Sequence, residues 1–408
     1  MPTIAVLGTF DTKGPEHSFV ADIIRSRGHQ PLLIDVGSRG RPRLKADINR
    51  SRIAKSAGSS MAEIRNRDDR GFAVATMSKG VPAILSKLAT SGKIQGVISL
   101  GGSGGTAICT AAMRALPIGF PKVMVSTMAA GDVSDYIGVK DIVMFPSVVD
   151  VAGINRISRQ ILSRAAGAIC GMVEIDIPPS NDRPLIAASM FGNTTDCVSR
   201  AQRVLEKAGF EVLVFHATGA GGRTMESLIE SGMIAGVLDV TTTEWADEHL
   251  GGILNAGPNR LEAAARTGVP AIVAPGCLDM VNFGAPDTIP DKYRDRQFYA
   301  HNPQVTLMRT TPEECVELAQ LIAERINLST GPVTFMIPAR AISVISAKEQ
   351  KFHDPIADKV LFQAIRAYLR DDIPVQELDH EINDQTFAEA CANELLKNIR
   401  KKKKRPTR

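Results

Sequence analysis

The string S-G-x-I-x-G-V occurs twice in this chain, as Ser91–Val97 and again as Ser231–Val237. Each copy holds the same place in a longer shared order. Before the first come an apolar run ending in glycine, Thr3–Gly8, a stretch of helical spacing over Glu16–Arg27 stopped by Gly28, and a second run, Pro31–Val36. Before the second come Ile186–Met190, Cys197–Lys207 stopped by Gly209, and Glu211–His216. After them, Phe120–Val125 matches Val269–Ala274, and the strand and helix of Asp141–Ala166 match those of Val305–Ile326. Apolar runs without polar alternation suit strands buried on both faces of a parallel sheet. The intervening helices then make right-handed crossovers. The expected fold class is therefore α/β: two similar doubly wound parallel-sheet (Rossmann-like) domains with a cleft between them. The spacing places a first domain at 1–176, with a helical insertion at about 37–80, and a second at 185–400. Ile177–Pro184, IPPSNDRP, has the polar and proline content of an exposed linker.

Composition narrows the function. Aromatics make up only 5%, so the core must rest on aliphatic side chains and methionine, packed close with the help of 34 glycines. The net charge of +4 belongs to the end of the chain: Arg400–Arg408 carry seven basic groups and no acid, and without them the balance is −3. A mildly acidic body gives no footprint for specific nucleic-acid binding, and 401–408 reads as a basic, disordered tail. Six scattered cysteines without C-x-x-C spacing argue against a disulfide scaffold or structural zinc. With neither a signal-peptide pattern nor a membrane-length apolar run, a cytoplasmic protein without a membrane anchor is expected.

Ligands of open parallel sheets bind beyond the carboxyl ends of the strands, so the loops there carry the candidates. The strongest is Gly101-Gly102-Ser103-Gly104-Gly105-Thr106, between a strand and a helix start. Its glycines let several N–H groups converge, and the helix dipole adds positive charge, which together make a phosphate cradle. Ser103 and Thr106 can add hydroxyl contacts, or a contact to magnesium. Gly102–Ala107 formally fits G-x-G-x-x-A, but it does not follow the first strand, and no P-loop lysine motif exists. After the first strand, Thr9, Asp11, Thr12 and Lys13 could join the site, Asp11 through a metal or ribose and Lys13 through phosphate. Asp132 and Asp135, in a third such loop, could bind magnesium or ribose; a helix cap explains them equally well. In the second half, Asp279 in Gly276–Gly284, with His301 and Arg309, could supply proton transfer and an anion clamp. Cys277 reads as a small buried hydrophobe. A second glycine-rich turn, His216–Arg223, could bind an anion in that domain.

The motifs GTFDTKG, GGSGGT, PGCLDMVNFG, HNP and TLMRT resemble the family of the tomato mosaic virus resistance protein's N-terminal region, over about residues 3–370. The resemblance implies an ATP-binding, dimeric protein of two α/β domains with the nucleotide in the first domain's loops. The viral-inhibition role of the plant member is not carried over. That member's further barrel domain is expected to be missing, since few residues remain after 370. The leading expectation is an enzyme that places ATP, with magnesium, on Gly101–Thr106, assisted by Thr9, Asp11 and Lys13. It would transfer a phosphoryl or nucleotidyl group to a small anionic substrate held by Asp279, His301 and Arg309. The alternative is a non-catalytic binding protein regulated by ATP. A sugar-binding protein of the periplasmic type ranks last, because it needs no phosphate cradle.

Overall fold

The computed structural model describes residues 1–178 and 181–404, and the chain divides into two compact units, Met1–Pro179 and Ser180–Arg408. Pro179 and Ser180 of the expected linker, and Arg405–Arg408 of the expected tail, lie outside the described residues. Both units are doubly wound α/β structures.

The first unit runs β1 (Thr3–Gly8), α1 (Phe10–Ser26), β2 (Gln30–Asp35), α2 (Arg50–Ser56), α3 (Met61–Arg67), α4 (Arg70–Thr90) and β3 (Gly96–Gly101). It continues through α5 (Ser103–Arg114), β4 (Lys122–Ser126), α6 (Ser134–Ile137), β5 (Val143–Pro146) and α7 (Arg156–Glu174). The sheet is parallel, in the order β2-β1-β3-β4-β5. Strand periodicity sends Ile4 and Val6 to the face covered by α1 and α7, and Ala5 and Leu7 to the face covered by α4 and α5.

The expected insertion ended at about residue 80, where the sequence holds Gly80 and, two residues on, Pro82. The structure corrects this: α4 runs through both. Gly80 serves packing, since a Cβ there would lie 2.2 Å from the Ile53 carbonyl oxygen of α2. An interior proline costs a helix about 3 kcal/mol, and burial of Met77, Val81 and Leu85 along α4 offsets it. The segment is thus no appendage; its last helix is the crossover from β2 to β3.

The second unit runs β6 (Leu185–Met190), α8 (Thr195–Lys207), β7 (Glu211–His216), α9 (Ala220–Glu230), β8 (Ile234–Thr241), α10 (Glu244–Leu250), α11 (Glu262–Thr267) and β9 (Ala271–Gly276). It continues through β10 (Met280–Phe283), β11 (Phe298–Asn302), β12 (Val305–Arg309), α12 (Pro312–Ile326), β13 (Val333–Pro338), α13 (Pro355–Tyr368), β14 (Val375–Leu378) and α14 (Gln385–Lys404). Its main sheet, β14-β13-β9-β8-β6-β7, repeats the first unit's order and adds one strand. A separate antiparallel sheet, β10-β12-β11, is inserted after β9. Two expectations change here. Val305–Arg309 is the middle strand of that small sheet, so the counterpart of β5 is β13, which lies beside β9 as β5 lies beside β4. And α14 extends through Lys404, so residues 401–404 of the expected disordered tail are helical, with Lys401 Nζ 3.3 Å from Asn398 Oδ1.

The duplicated string has a structural cause. Gly92 and Gly232 end α4 and α9 at φ 66° and 77°, the left-handed region that glycine enters without penalty. Four residues on, Gly96 and Gly236 lie under a helix: a Cβ would come within 2.7 Å of Val173 in α7 and 2.8 Å of Ile399 in α14.

Candidate functional site

In a sheet of order 2-1-3-4-5 the crevice opens where the connections from neighbouring strands leave toward opposite faces, between β1 and β3. There the structure brings together the two loops singled out from sequence. A cleft of about 340 Å³ is lined by Thr9, Asp11 and Lys13 after β1, and by Gly102–Gly105 after β3.

Gly102 is the N-cap of α5, and no side chain caps that helix. The first bond closing the turn runs from Thr106 N to Gly102 O at 2.8 Å. The amides of Ser103, Gly104 and Gly105 take no partner among the described residues. Three bare N–H groups at a helix start have the chemistry to accept an anion. Gly101 packs closely as well: a Cβ there would lie 3.2 Å from Gly105 Cα. Thr106 does not face the ligand space: its buried hydroxyl bonds Ser126 Oγ at 2.6 Å and Gly102 O at 2.9 Å. It fixes the turn and leaves no hydroxyl for magnesium.

The loop after β1 is also partly committed. Asp11 is buried, with Oδ2 accepting the Arg39 amide at 2.8 Å and Arg50 Nη1 at 3.4 Å, while Oδ1 has no partner. Lys13 Nζ donates to the Val151 carbonyl in the β5–α7 loop. The Thr9 and Thr12 hydroxyls bond each other at 2.9 Å. Beneath them His17 is fully buried, its Nδ1 2.6 Å from the Lys13 carbonyl oxygen; burial pulls its pKa down to about 4, against that hydrogen bond. Asp132 lies outside the cleft: its exposed carboxylate accepts the Ser134 amide at 2.9 Å, which holds its pKa below the usual range. It is a helix cap. Among the described residues, no group of three His, Cys, Asp or Glu side chains could hold a metal ion.

Sequence reasoning did not place Arg39 and Arg70, two cations of the cleft, at the site. Both come from the segment between β2 and β3, and both side chains are exposed. The Arg70 guanidinium lies 3.7 Å from where a Gly104 side chain would begin. The available signal was the density of arginine in 39–70; which of those residues turn toward the glycine loop depends on the path of α2–α4.

The second unit closes the equivalent place. Glu244 Oε1 accepts the amides of Gly219 and Gly222 at 2.7 and 3.1 Å, so the turn His216–Arg223, expected to bind an anion, already holds a carboxylate of its own chain. Buried Arg260 bonds Glu244 through Nε at 2.7 Å, Asp239 at 2.5 and 2.7 Å, and Glu226 at 3.1 Å. Burial opposes its charge, but the three carboxylates hold its pKa well above the ordinary value.

The expected catalytic trio does not share a surface. Asp279 is sealed, accepting Ser343 Oγ at 2.7 Å, and burial raises its pKa. Arg309 is buried against Asp358 at 2.7 Å, the Phe352 carbonyl at 2.9 Å and Thr310 Oγ1 at 2.9 Å. His301 is exposed on the edge strand β11. Cys277 is buried, and burial pushes its thiol well above the usual range. The carboxylate that Arg309 holds, Asp358, was not anticipated; burial lifts it to about 7.

Among solved structures, UDP-N-acetylglucosamine 2-epimerase from Rickettsia bellii is similar at 10% identity over 98% of this chain and 96% of that one, with a TM-score of 0.22. A likeness so low carries no argument about function. The ToMV resistance protein Tm-1(GCR237) of Solanum lycopersicum is 38% identical over 97% of this chain, which spans 55% of that protein's length. A UPF0261 protein of Clostridium tetani is 50% identical over 98% of this chain and 99% of its own. Family models for the N-terminal and C-terminal domains match residues 2–178 and 183–399, and the chain belongs to the Uncharacterised protein family (UPF0261).

Proposed function

We propose that this protein binds a phosphorylated ligand between β1 and β3 of its first unit, with ATP as the candidate ligand. The supporting observation is the convergence of the three unpartnered amides of Ser103, Gly104 and Gly105 with the side chains of Lys13, Arg39 and Arg70 on one cleft. Bare amides at a helix start recognise phosphate oxygens, and the cations neutralise their charge. Asp11, whose Oδ1 is unused, is the residue that would meet an accompanying magnesium ion. The choice of ATP rests on the resemblance described above, and so does the expectation of a homodimer.

Phosphoryl or nucleotidyl transfer to a small anionic substrate asks mainly for positioning and charge neutralisation, and the cleft has the groups for both. The reading of ATP as a regulatory ligand without turnover is favoured by one observation: Asp279 and Arg309, the expected substrate-side residues, are sealed in the core.

Titration calorimetry with ATP on the wild type and on Gly104→Asp tests the site. A carboxylate beside the free amides should abolish binding by repulsion and bulk; unchanged affinity would refute the cradle. Release of ADP, AMP or phosphate in the presence of small organic acids then separates transfer from regulation.

A further inference from the structure

A second cavity, of about 330 Å³, opens at the carboxyl ends of β4 and β5 and is lined by Thr127, Ser147, Val148, Val149 and Asp150. It adjoins the cradle across the end of β3. Thr127 donates its amide to Gly101 O at 3.2 Å, and its Oγ1 is 3.7 Å from where a Gly102 side chain would begin. Lys13 links the two as well, since it lines the first cleft and bonds Val151 in the loop that walls the second.

That loop is built in a costly shape. Val148, a β-branched residue, sits at φ 63° and is 76% exposed. Such a conformation costs about 1–3 kcal/mol and persists only where its surroundings impose it. Here the Ser147 hydroxyl bonds Val149 O at 2.7 Å, Ser147 N bonds Ser126 O at 3.1 Å, and Glu16 accepts the Gly153 amide. The result presents an apolar Val148 side chain beside two uncommitted polar groups, the Thr127 hydroxyl and the Asp150 carboxylate, neither of which has a side-chain hydrogen bond among the described residues.

We infer that the ligand of the cradle is bipartite, a sugar phosphate whose hydroxyl-bearing body crosses the end of β3 into this second cavity. Vicinal sugar hydroxyls donate to Asp150 and meet Thr127, while the less polar face of the sugar rests on Val148. A carboxylate is the acceptor suited to paired hydroxyl donors. The inference rests on the reading of Gly102–Gly105 as the phosphate seat.

Calorimetry on the full chain with tripolyphosphate, ATP and 2′,3′-dideoxy-ATP tests it. The wild type should bind ATP about tenfold more tightly than the dideoxy compound, the loss expected when a hydrogen bond to a charged group is removed. Asp150→Ala should erase that preference and leave tripolyphosphate affinity unchanged. Thr127→Val should reduce the preference in part. Equal wild-type affinity for ATP and the dideoxy compound, or a preference that survives both substitutions, would overturn the subsite while leaving the cradle standing. Failure of tripolyphosphate to bind at all would remove the cradle, and the subsite with it.

Discussion

Glu244 places one carboxylate oxygen 2.7 Å from the Gly219 amide, and this contact separates the two halves of a duplicated fold. The first unit leaves its glycine-loop amides bare at the switch point, whereas the second fills the comparable space with its own acid. Glu244→Ala should therefore destabilise the second unit by about 4 kcal/mol, because it leaves two buried amides without an acceptor and takes from Arg260 one of its three carboxylate partners. Urea unfolding measures the loss, and a change under about 1 kcal/mol would show that those groups find other partners.

Gly8→Ala tests the packing beneath the cleft. A Cβ at this position would lie 1.8 Å from His17 Nε2, and the ring is fully buried with Nδ1 held 2.6 Å from the Lys13 carbonyl oxygen. The expected cost is about 3 kcal/mol, at the upper end of overpacking effects, measured as a lower denaturation midpoint.

His17 also makes stability depend on pH. Its pKa falls from 6.5 to about 4 on folding because burial disfavours the imidazolium. As pH drops through this window the unfolded chain takes up a proton that the native state refuses, so stability falls with falling pH. The slope is about 1.4 kcal/mol per unit, roughly 3 kcal/mol in all. His17→Asn should remove that component, seen as a flatter pH dependence than the wild type's between pH 6.5 and 4 in parallel urea titrations.

Arg39 and Arg70 offer the opposite signature. Both side chains are exposed and neither guanidinium has a hydrogen-bond partner among the described residues, so replacing either with alanine should change stability by no more than about 0.5 kcal/mol. Tripolyphosphate affinity should fall about five- to tenfold for each, and the salt dependence of binding should weaken. Loss of stability without loss of affinity would assign the two arginines to structure instead.

Much of the fold could be read without coordinates because its determinants are local. Continuous apolar runs marked the parallel strands, and the repeated glycines marked helix ends and close strand–helix contacts. The antiparallel insertion was harder: Val305–Arg309 has the same short apolar pattern as a sheet-core strand, and only its pairing with Met280–Phe283 and Phe298–Asn302 shows otherwise. The end set for the insertion, at about residue 80, likewise falls inside α4, whose core contacts are made with residues distant in sequence. At the cleft, Thr9, Asp11, Lys13 and the glycine loop, which line one space, were singled out from their place at strand ends. Their hydrogen-bond commitments were not, because Val151, Arg50 and Ser126 are distant in sequence.

Two features followed from the amino-acid order alone: the twofold repeat of a doubly wound unit, and the glycine-rich turn after its third strand. Both depend on backbone conformations and burial periodicities set by neighbouring residues. Which switch point stays open was decided only by tertiary structure. Glu244 and Arg260 close one, while Arg39 and Arg70 are carried to the rim of the other, and both outcomes depend on where long-range packing sets side chains whose own sequence neighbourhood does not specify a partner.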